Sequence, residues 1–355
     1  MDEKLVSWLA GIEKPKPVRE DFVFSVIALD HGHIFGMSKG LVEAGAKLKS
    51  VYDPDPSKVA GFLREFPQTK AVRSSQEILD DQEVQLVASA GIPSERAALG
   101  LQVLKAGKDY FVDKAPLTTL EQLDEIRSVS VKHSRKYMVY YSERLHNESA
   151  VAAGYLIKQG IIGRILNVIG MGPHRLNAKS RPSWFFEREK YGGILCDIGS
   201  HQIEQFLYYS GACGAEITSA NVANFHHPGT PGLEDFGEAN LIGDNGASNY
   251  FKVDWFTPDG LGTWGDGRTF VTGTDGYIEL RKFIDVARLK VGNQLYVVTQ
   301  FGEHHFDLDG KVGYPFFTEL IKDCLYRSDH AMTQDHALKA AELAVQAQLK
   351  ANKRV

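Results

Sequence analysis

The chain has 355 residues, 43% of them hydrophobic, with 40 Lys+Arg against 45 Asp+Glu and a formal net charge of −5. At roughly 150 residues per domain this length suits two domains with substantial cores. The charge balance argues against a nucleic-acid footprint and a polybasic membrane surface, and no apolar run nears the ~20 residues of a membrane helix.

Residues 1–20 (MDEKLVSWLAGIEKPKPVRE) read as a short helix and a Pro-rich arm, with acids too early for a secretory signal. Residues 22–29 (FVFSVIAL) predict a buried strand, and 33–44 a helix with apolar Ile34, Met37 and Leu41, closed by Gly45. The alternation continues with a strand at 48–53, a helix at 56–66, an extended piece at 71–73 and a strand at 85–89. A helix at 93–106, a strand at 109–113, a helix at 119–133 and a strand at 136–141 complete it. Such alternation means β-α-β units and a parallel, doubly wound sheet, whose ligands bind beyond the carboxyl ends of the strands.

The pattern then changes. A helix at 148–159 leads to a half-buried strand at 164–170, and a helix follows at 195–209. Short extended runs at 217–225, 236–242, 248–255, 269–272, 277–280, 286–291 and 295–299 predict a large, open, mainly antiparallel sheet. Helices at 315–326 and 334–351 close the chain. The expected division is an arm (1–20), a dinucleotide-binding domain (21–145) and an α/β substrate-binding and oligomerisation domain (146–355), the last helix able to pack back on the first domain. The cysteines, Cys196, Cys213 and Cys324, are odd in number and form no C-x-x-C pair. That disfavours a disulfide framework and suits a reducing cytoplasm.

The turn after the first strand reads ALDHGHIFGM (28–37). A dinucleotide turn needs glycine where backbone meets pyrophosphate and a helix N-terminus facing the phosphates. Against G-x-G-x-x-G, Asp30 takes the first glycine position, Gly32 matches the second and Gly36 comes one residue late. Asp53 ends the next strand, where an acid binds ribose hydroxyls and repels a 2′-phosphate. Asp30 is expected to turn from the phosphates, and capping the helix is one way it could do so. His31 and His33 lie two apart, but this turn offers no further convergent ligand, so no metal centre is expected. Lys114 stands at a strand end, where burial would tune it for proton transfer. In GGILCDIGSH (192–201), Asp197 and His201 are four apart and project from one helical face, the glycines permitting close approach. His201 suits a proton acceptor.

Together these residues resemble the Gfo/Idh/MocA family of NAD(P)-dependent oxidoreductases. Its E-K-P motif matches Asp113-Lys114-Ala115, and its G-G-x-x-x-D-x-G-x-H-x-x-D stretch matches Gly192 through Glu204. Its P-x-x-H and A-G-K helix match Pro93 through Arg96 and Ala106-Gly107-Lys108. The resemblance implies an N-terminal Rossmann domain and a C-terminal α/β domain with an open sheet. It implies hydride transfer from a secondary hydroxyl of a sugar, sugar acid or cyclitol to nicotinamide, with Lys114, Asp197 and His201 catalytic. NAD is expected over NADP, held by Asp30, His31, Gly32, His33, Ile34, Asp53, Ser89, Pro93, Arg96, Asp113 and Lys114. Substrate would meet Arg144, His174, Trp184, Tyr191, Asp197 and His201; Glu143, His146, Arg175 and Arg181 are further candidates. The open sheet implies a homodimer or homotetramer. Two other readings stand beside the dehydrogenase: a cofactor-sensing regulator and an NAD-dependent glycoside hydrolase. Three departures surround the cofactor: Asp30 for Gly, Arg96 for His and Ala115 for Pro. A cis bond before alanine costs about 2.5–4 kcal/mol, so that bond is expected to be trans or Lys114 to be held differently.

Overall fold

The structure, a computed structural model, describes residues 3–354, so residues 1, 2 and 355 of the expected arm and second domain lie outside it. A lead helix α1 (Glu3–Ala10) precedes β1 (Val23–Ile27), α2 (His33–Glu43), β2 (Lys47–Tyr52), α3 (Pro56–Glu65) and β3 (Lys70–Ala71). Then come α4 (Ser75–Asp80), β4 (Leu86–Ser89), α5 (Pro93–Lys105), β5 (Asp109–Asp113), α6 (Leu120–His133) and β6 (Tyr137–Tyr140). The six strands pair in parallel in the order β3-β2-β1-β4-β5-β6. Strands β4, β5 and β6 are buried along their whole length, as helices on both faces of a parallel sheet require. The order reverses between β1 and β4, which opens a crevice beyond their carboxyl ends. The helix starts follow the sequence: Asp55 caps α3 ahead of Pro56, and Thr119 with Gln122 forms a capping box on α6. Helix α4 was not expected; Ser74 caps it through the Glu77 amide.

The chain continues through α7 (Ser142–Leu145), α8 (Glu148–Lys158) and β7 (Ile165–Pro173). Two 3-10 turns (Ala178–Ser180 and Ser183–Phe186) lead to α9 (Arg188–Tyr191), α10 (Ile194–Asp197) and α11 (Gly199–Ser210). There follow β8 (Ala215–Ala223), β9 (Phe236–Gly243), β10 (Ser248–Asp254), β11 (Arg268–Gly273), β12 (Gly276–Arg281), β13 (Gln294–Thr299) and β14 (Gly302–Asp307). Helices α12 (Pro315–Tyr326) and α13 (Gln334–Lys350) and the edge strand β15 (Asn352–Arg354) finish the described chain. The nine strands run β14-β13-β12-β11-β7-β10-β9-β8-β15, antiparallel except for β7–β10 and β8–β15. Helices α8, α10 and α11 cover one face, against Val168, Phe251, Val271, Ile278 and Val297. The opposite face leaves Ile169, Tyr277 and Ile242 exposed by 38%, 38% and 43%. Helix α13 packs on β6 and α6 as well as on α10, α11 and β8.

Two expected elements differ. Residues 286–291 form no strand: Ala287 takes φ 61° and a bridge from Asp285 to Leu289 closes a turn. The single helix expected at 195–209 is two, broken at Ile198.

Candidate active site

The crevice begins where β1 ends. Ala28 takes the left-handed conformation (φ 68°) that a glycine adopts freely, so the positive-φ position of the turn falls at Ala28 rather than at Asp30. Gly32 is the N-cap of α2, with no side-chain cap and no acid in the first turn. A Cβ added at Gly32 would meet nothing within 4 Å. The helix N-terminus therefore faces open space suited to a phosphate. Asp30 does not cap α2; its Oδ1 pairs with Lys58 Nζ of α3 at 2.5 Å. Asp53 accepts the Leu29 amide on Oδ2 at 2.7 Å and the Asp55 amide on Oδ1 at 2.8 Å. The Asp53 side chain is 1% exposed, so these bonds hold it beneath the turn. Of the other expected cofactor residues, Ile34, Ser89 and Pro93 are buried and shape the turns.

Asp113, at the end of β5, is fully buried. His33 Nδ1 lies 2.8 Å from its Oδ1, His31 Nδ1 lies 3.1 Å from its Oδ2, and Arg96 Nη2 lies 3.2 Å from Oδ2. Burial would raise the Asp113 pKa, but His33, Arg96 and His31 hold it well below the usual range. Burial, aided by the neighbouring His33, pulls His31 down to about 3. The sequence argument against further convergent ligands at the His31/His33 turn is overturned, because β5 brings Asp113 to it.

Arg96 is 1% exposed and engages only protein groups. It donates to the Gly91 carbonyl (2.7 Å) and to the carbonyls of Asp113 (3.2 Å), Lys114 and Ala115 (3.2 Å). It thus clamps the end of the strand. No described peptide bond is cis, so the bond before Ala115 is trans. The two departures at Arg96 and Ala115 meet in space: the guanidinium gathers the carbonyls of the turn that positions Lys114.

Lys114 and Asp197 form an ion pair between the parallel sheet and α10, both side chains under a tenth exposed. Burial would raise the Asp197 pKa, but Lys114 holds it below the usual range. Asp197 ends α10 and His201 lies in the first turn of α11, joined through Ile198, whose backbone stays right-handed (φ −90°, ψ −38°). His201 is 1% exposed, and its Nδ1 has no hydrogen-bond partner among the described residues. Burial pulls its pKa down to about 3, with Glu143 opposing and Lys114 reinforcing, so it is a neutral imidazole at neutral pH. Its ring lies 6.5 Å from that of His33.

His174 flanks this cluster. It meets Trp255 edge to face (5.4 Å) and Trp264 at a tilt (4.5 Å), and burial lowers it to about 4. Arg181 lies over the rings of Phe185 (4.5 Å) and Trp255 (5.2 Å), within electrostatic reach of Asp197. Other expected substrate residues are engaged elsewhere. Arg144 is buried in a forked ion pair with Glu204 and covers the Tyr208 ring. Tyr191 bonds through its hydroxyl to Gly232 O and Glu234 N, and Trp184 packs beside Phe185. Gly192 and Gly193 make room for side chains: an added Cβ would meet Thr118 at 2.8 Å and Gln348 at 2.3 Å. The Leu195 amide donates to that Gln348 (2.9 Å), which in turn donates to Glu234.

Sequence reasoning missed the network beneath His201. Lys282 Nζ lies 2.6 Å from Glu143 Oε2 and 3.0 Å from Gln205 Oε1, while Gln202 donates to the same Glu143 oxygen at 2.8 Å. Gly170 and Gly172 of β7 leave space for Gln202. Nothing near Lys282 in the sequence signals it.

The strand order, the uncapped N-terminus of α2, the open space at Gly32 and the acid at Asp53 fit a dinucleotide. Comparison with known proteins agrees. Residues 30–141 match the oxidoreductase family, NAD-binding Rossmann fold, and residues 151–279 match the GFO/IDH/MocA C-terminal domain. A crystal structure of an Erwinia carotovora atroseptica SCRI1043 protein is 46% identical, covers 94% of this chain and 100% of that one, and superposes with a TM-score of 0.92. A D-xylose dehydrogenase of Paenarthrobacter nicotinovorans is 26% identical over 52% of this chain and 47% of its own. An NADP+-dependent scyllo-inositol 2-dehydrogenase of Bacillus subtilis is 27% identical over 47% of this chain and 45% of its own. The match therefore spans about half the length of these two relatives. The chain belongs to the Gfo/Idh/MocA oxidoreductase family.

Proposed function

We propose that this protein is a nicotinamide-dependent dehydrogenase that oxidises a secondary hydroxyl of a sugar, sugar acid or cyclitol. The observation that carries the reading is the buried Lys114–Asp197 pair beside the neutral His201, whose Nδ1 has no hydrogen-bond partner among the described residues. Nicotinamide, when bound, supplies the hydride acceptor. Gly32 and the α2 N-terminus would hold its pyrophosphate, and Asp53 a ribose. Lys114 and Asp197 orient the substrate hydroxyl, and His201 accepts its proton. His174, Trp255 and Trp264 supply an aromatic wall suited to a polyhydroxylated ring. Asp30, Asp53 and Asp55 surround the single ammonium of Lys58, so the ribose end disfavours a 2′-phosphate and NAD is the expected cofactor. The retention of a lysine, an aspartate and a histidine suited to proton transfer favours an enzyme over a cofactor sensor. The open face of the nine-stranded sheet supports a homodimer or homotetramer.

Reduced-nicotinamide absorbance across a panel of sugars, sugar acids and inositols tests the reading. Turnover with at least one, lost in Lys114→Ala and His201→Ala, is expected. Sugar release without net redox turnover, or dinucleotide binding with no turnover on any class, overturns it.

A further inference from the structure

His31 and His33 flank Gly32 at the start of α2, and β5 brings Asp113 to them. One ligand-capable atom from each lies within 4.8 Å of the others. The two imidazole rings are 4.2 Å apart and nearly perpendicular (80°), with their Nδ1 atoms 3.1 and 2.8 Å from the Asp113 oxygens. At metal–ligand bonds of about 2.1 Å, neighbouring ligand atoms stand roughly 3.0 Å apart in octahedral and 3.4 Å apart in tetrahedral geometry. The observed N–O spacings, which also suit hydrogen bonds, are compatible with the first.

Proton placement points the same way. The His33 amide donates to His31 Nδ1 at 3.3 Å, which uses that nitrogen as an acceptor. Asp113 Oδ2, also an acceptor, lies 3.1 Å from the same nitrogen. One imidazole nitrogen cannot accept from the amide and donate to the carboxylate together, so a proton there serves the carboxylate at the expense of the amide, and without it the nitrogen and carboxylate lone pairs meet. A cation between them resolves the contact. Arg96 takes only Oδ2 and fixes the carboxylate plane, as an outer partner orients a metal ligand.

We propose that His31, His33 and Asp113 form a binding site for a divalent transition-metal ion. Two imidazoles and one carboxylate suit Zn2+, Co2+, Mn2+ or Fe2+ rather than the oxygen-seeking Mg2+ or Ca2+. The neighbouring Arg96 charge also works against ions that lack strong affinity for imidazole nitrogen. His33 adjoins His201, so the ion would lie beside the catalytic cluster. The inference does not depend on the dehydrogenase reading.

The test uses the untagged full chain, stripped by chelator and titrated with Co2+ and Zn2+. One ion per chain is expected, with visible Co2+ d–d bands of mixed nitrogen and oxygen ligation. His31→Ala and His33→Ala change partly exposed side chains, and an unchanged circular dichroism spectrum verifies their folding. Each should weaken binding by about 100-fold, the upper end of what even an outer-shell change costs. No bound ion, or equal binding by the His31→Ala/His33→Ala double variant, overturns the proposal. NADH titration by fluorescence, run on metal-free protein, reports separately on the dinucleotide reading.

Discussion

Lys114, beyond the end of β5, and Asp197, at the end of α10, close a buried ion pair that joins the two sheets' lobes beside His201. Removing one partner strands the other charge in a dry site, which costs about 3–5 kcal/mol. Lys114→Ala and Asp197→Ala should each lower the melting temperature, and the double variant should be more stable than either single one. Calorimetry on the three proteins checks this. Lys114→Ala and His201→Ala should also lower turnover by at least ~100-fold. Smaller losses would remove them from proton transfer.

Four histidines, His201 buried and the other three half-buried, make the fold acid-sensitive in a definite direction. Burial lowers His31 and His201 to about 3, and His146 and His174 to about 4. Between those values and the ordinary 6.5, the unfolded chain binds protons that the folded chain refuses. Stability therefore rises with pH across this window and is lost as pH falls from about 6.5, by up to ~1.4 kcal/mol per pH unit for each histidine. Asp113, Glu143 and Asp197, lowered by their partners despite burial, act in the same sense at more acid pH. Denaturant unfolding from pH 7 to pH 4 measures the slope, and His201→Gln should reduce it.

Arg96, on α5, should matter to stability more than any other residue around the end of β5. Arg96→Ala would leave the Asp113 carboxylate and the carbonyls of residues 113–115 without their shared donor. A loss of about 3–5 kcal/mol is expected, and a loss under ~1 kcal/mol would contradict the clamp.

Cofactor choice follows from the acids near Lys58. NADH should bind at least tenfold (~1.4 kcal/mol) more tightly than NADPH. Asp30→Asn should narrow the gap by freeing the Lys58 ammonium, as isothermal titration would measure. Asp30→Gly should not tighten NADH binding tenfold, because Asp30 already faces Lys58.

The open sheet face, with Ile169, Ile242 and Tyr277 exposed, predicts self-association. Sedimentation at micromolar protein should show a dimer or tetramer, and Ile169→Glu should shift it toward monomer. A wild-type monomer would remove the prediction.

Much of this was legible in the sequence. The apolar runs of β1, β4 and β5 and the punctuating Gly and Pro residues marked the parallel sheet, and the residues around Lys114 and His201 marked the cluster. What stayed hidden involves pairing across distance. Asp113 reaches His33 across 80 positions, and Lys282 reaches Glu143 across 139, where no local spacing signals a partner. Residues 286–291 carry strand-forming side chains but no neighbouring strand to pair with, while the polar β14 does pair, with β13. Tertiary context decided both, as it usually does for strands.

Gln348 has a bearing on how the protein is made. Its amide seats α10, yet it lies 153 residues beyond Leu195 in the chain. At ribosomal rates of about 5–20 residues per second, roughly 8–30 s separate the emergence of the two. During synthesis the start of α10 waits for this partner, and premature termination before Gln348 would yield a chain in which the Leu195 amide lacks its acceptor.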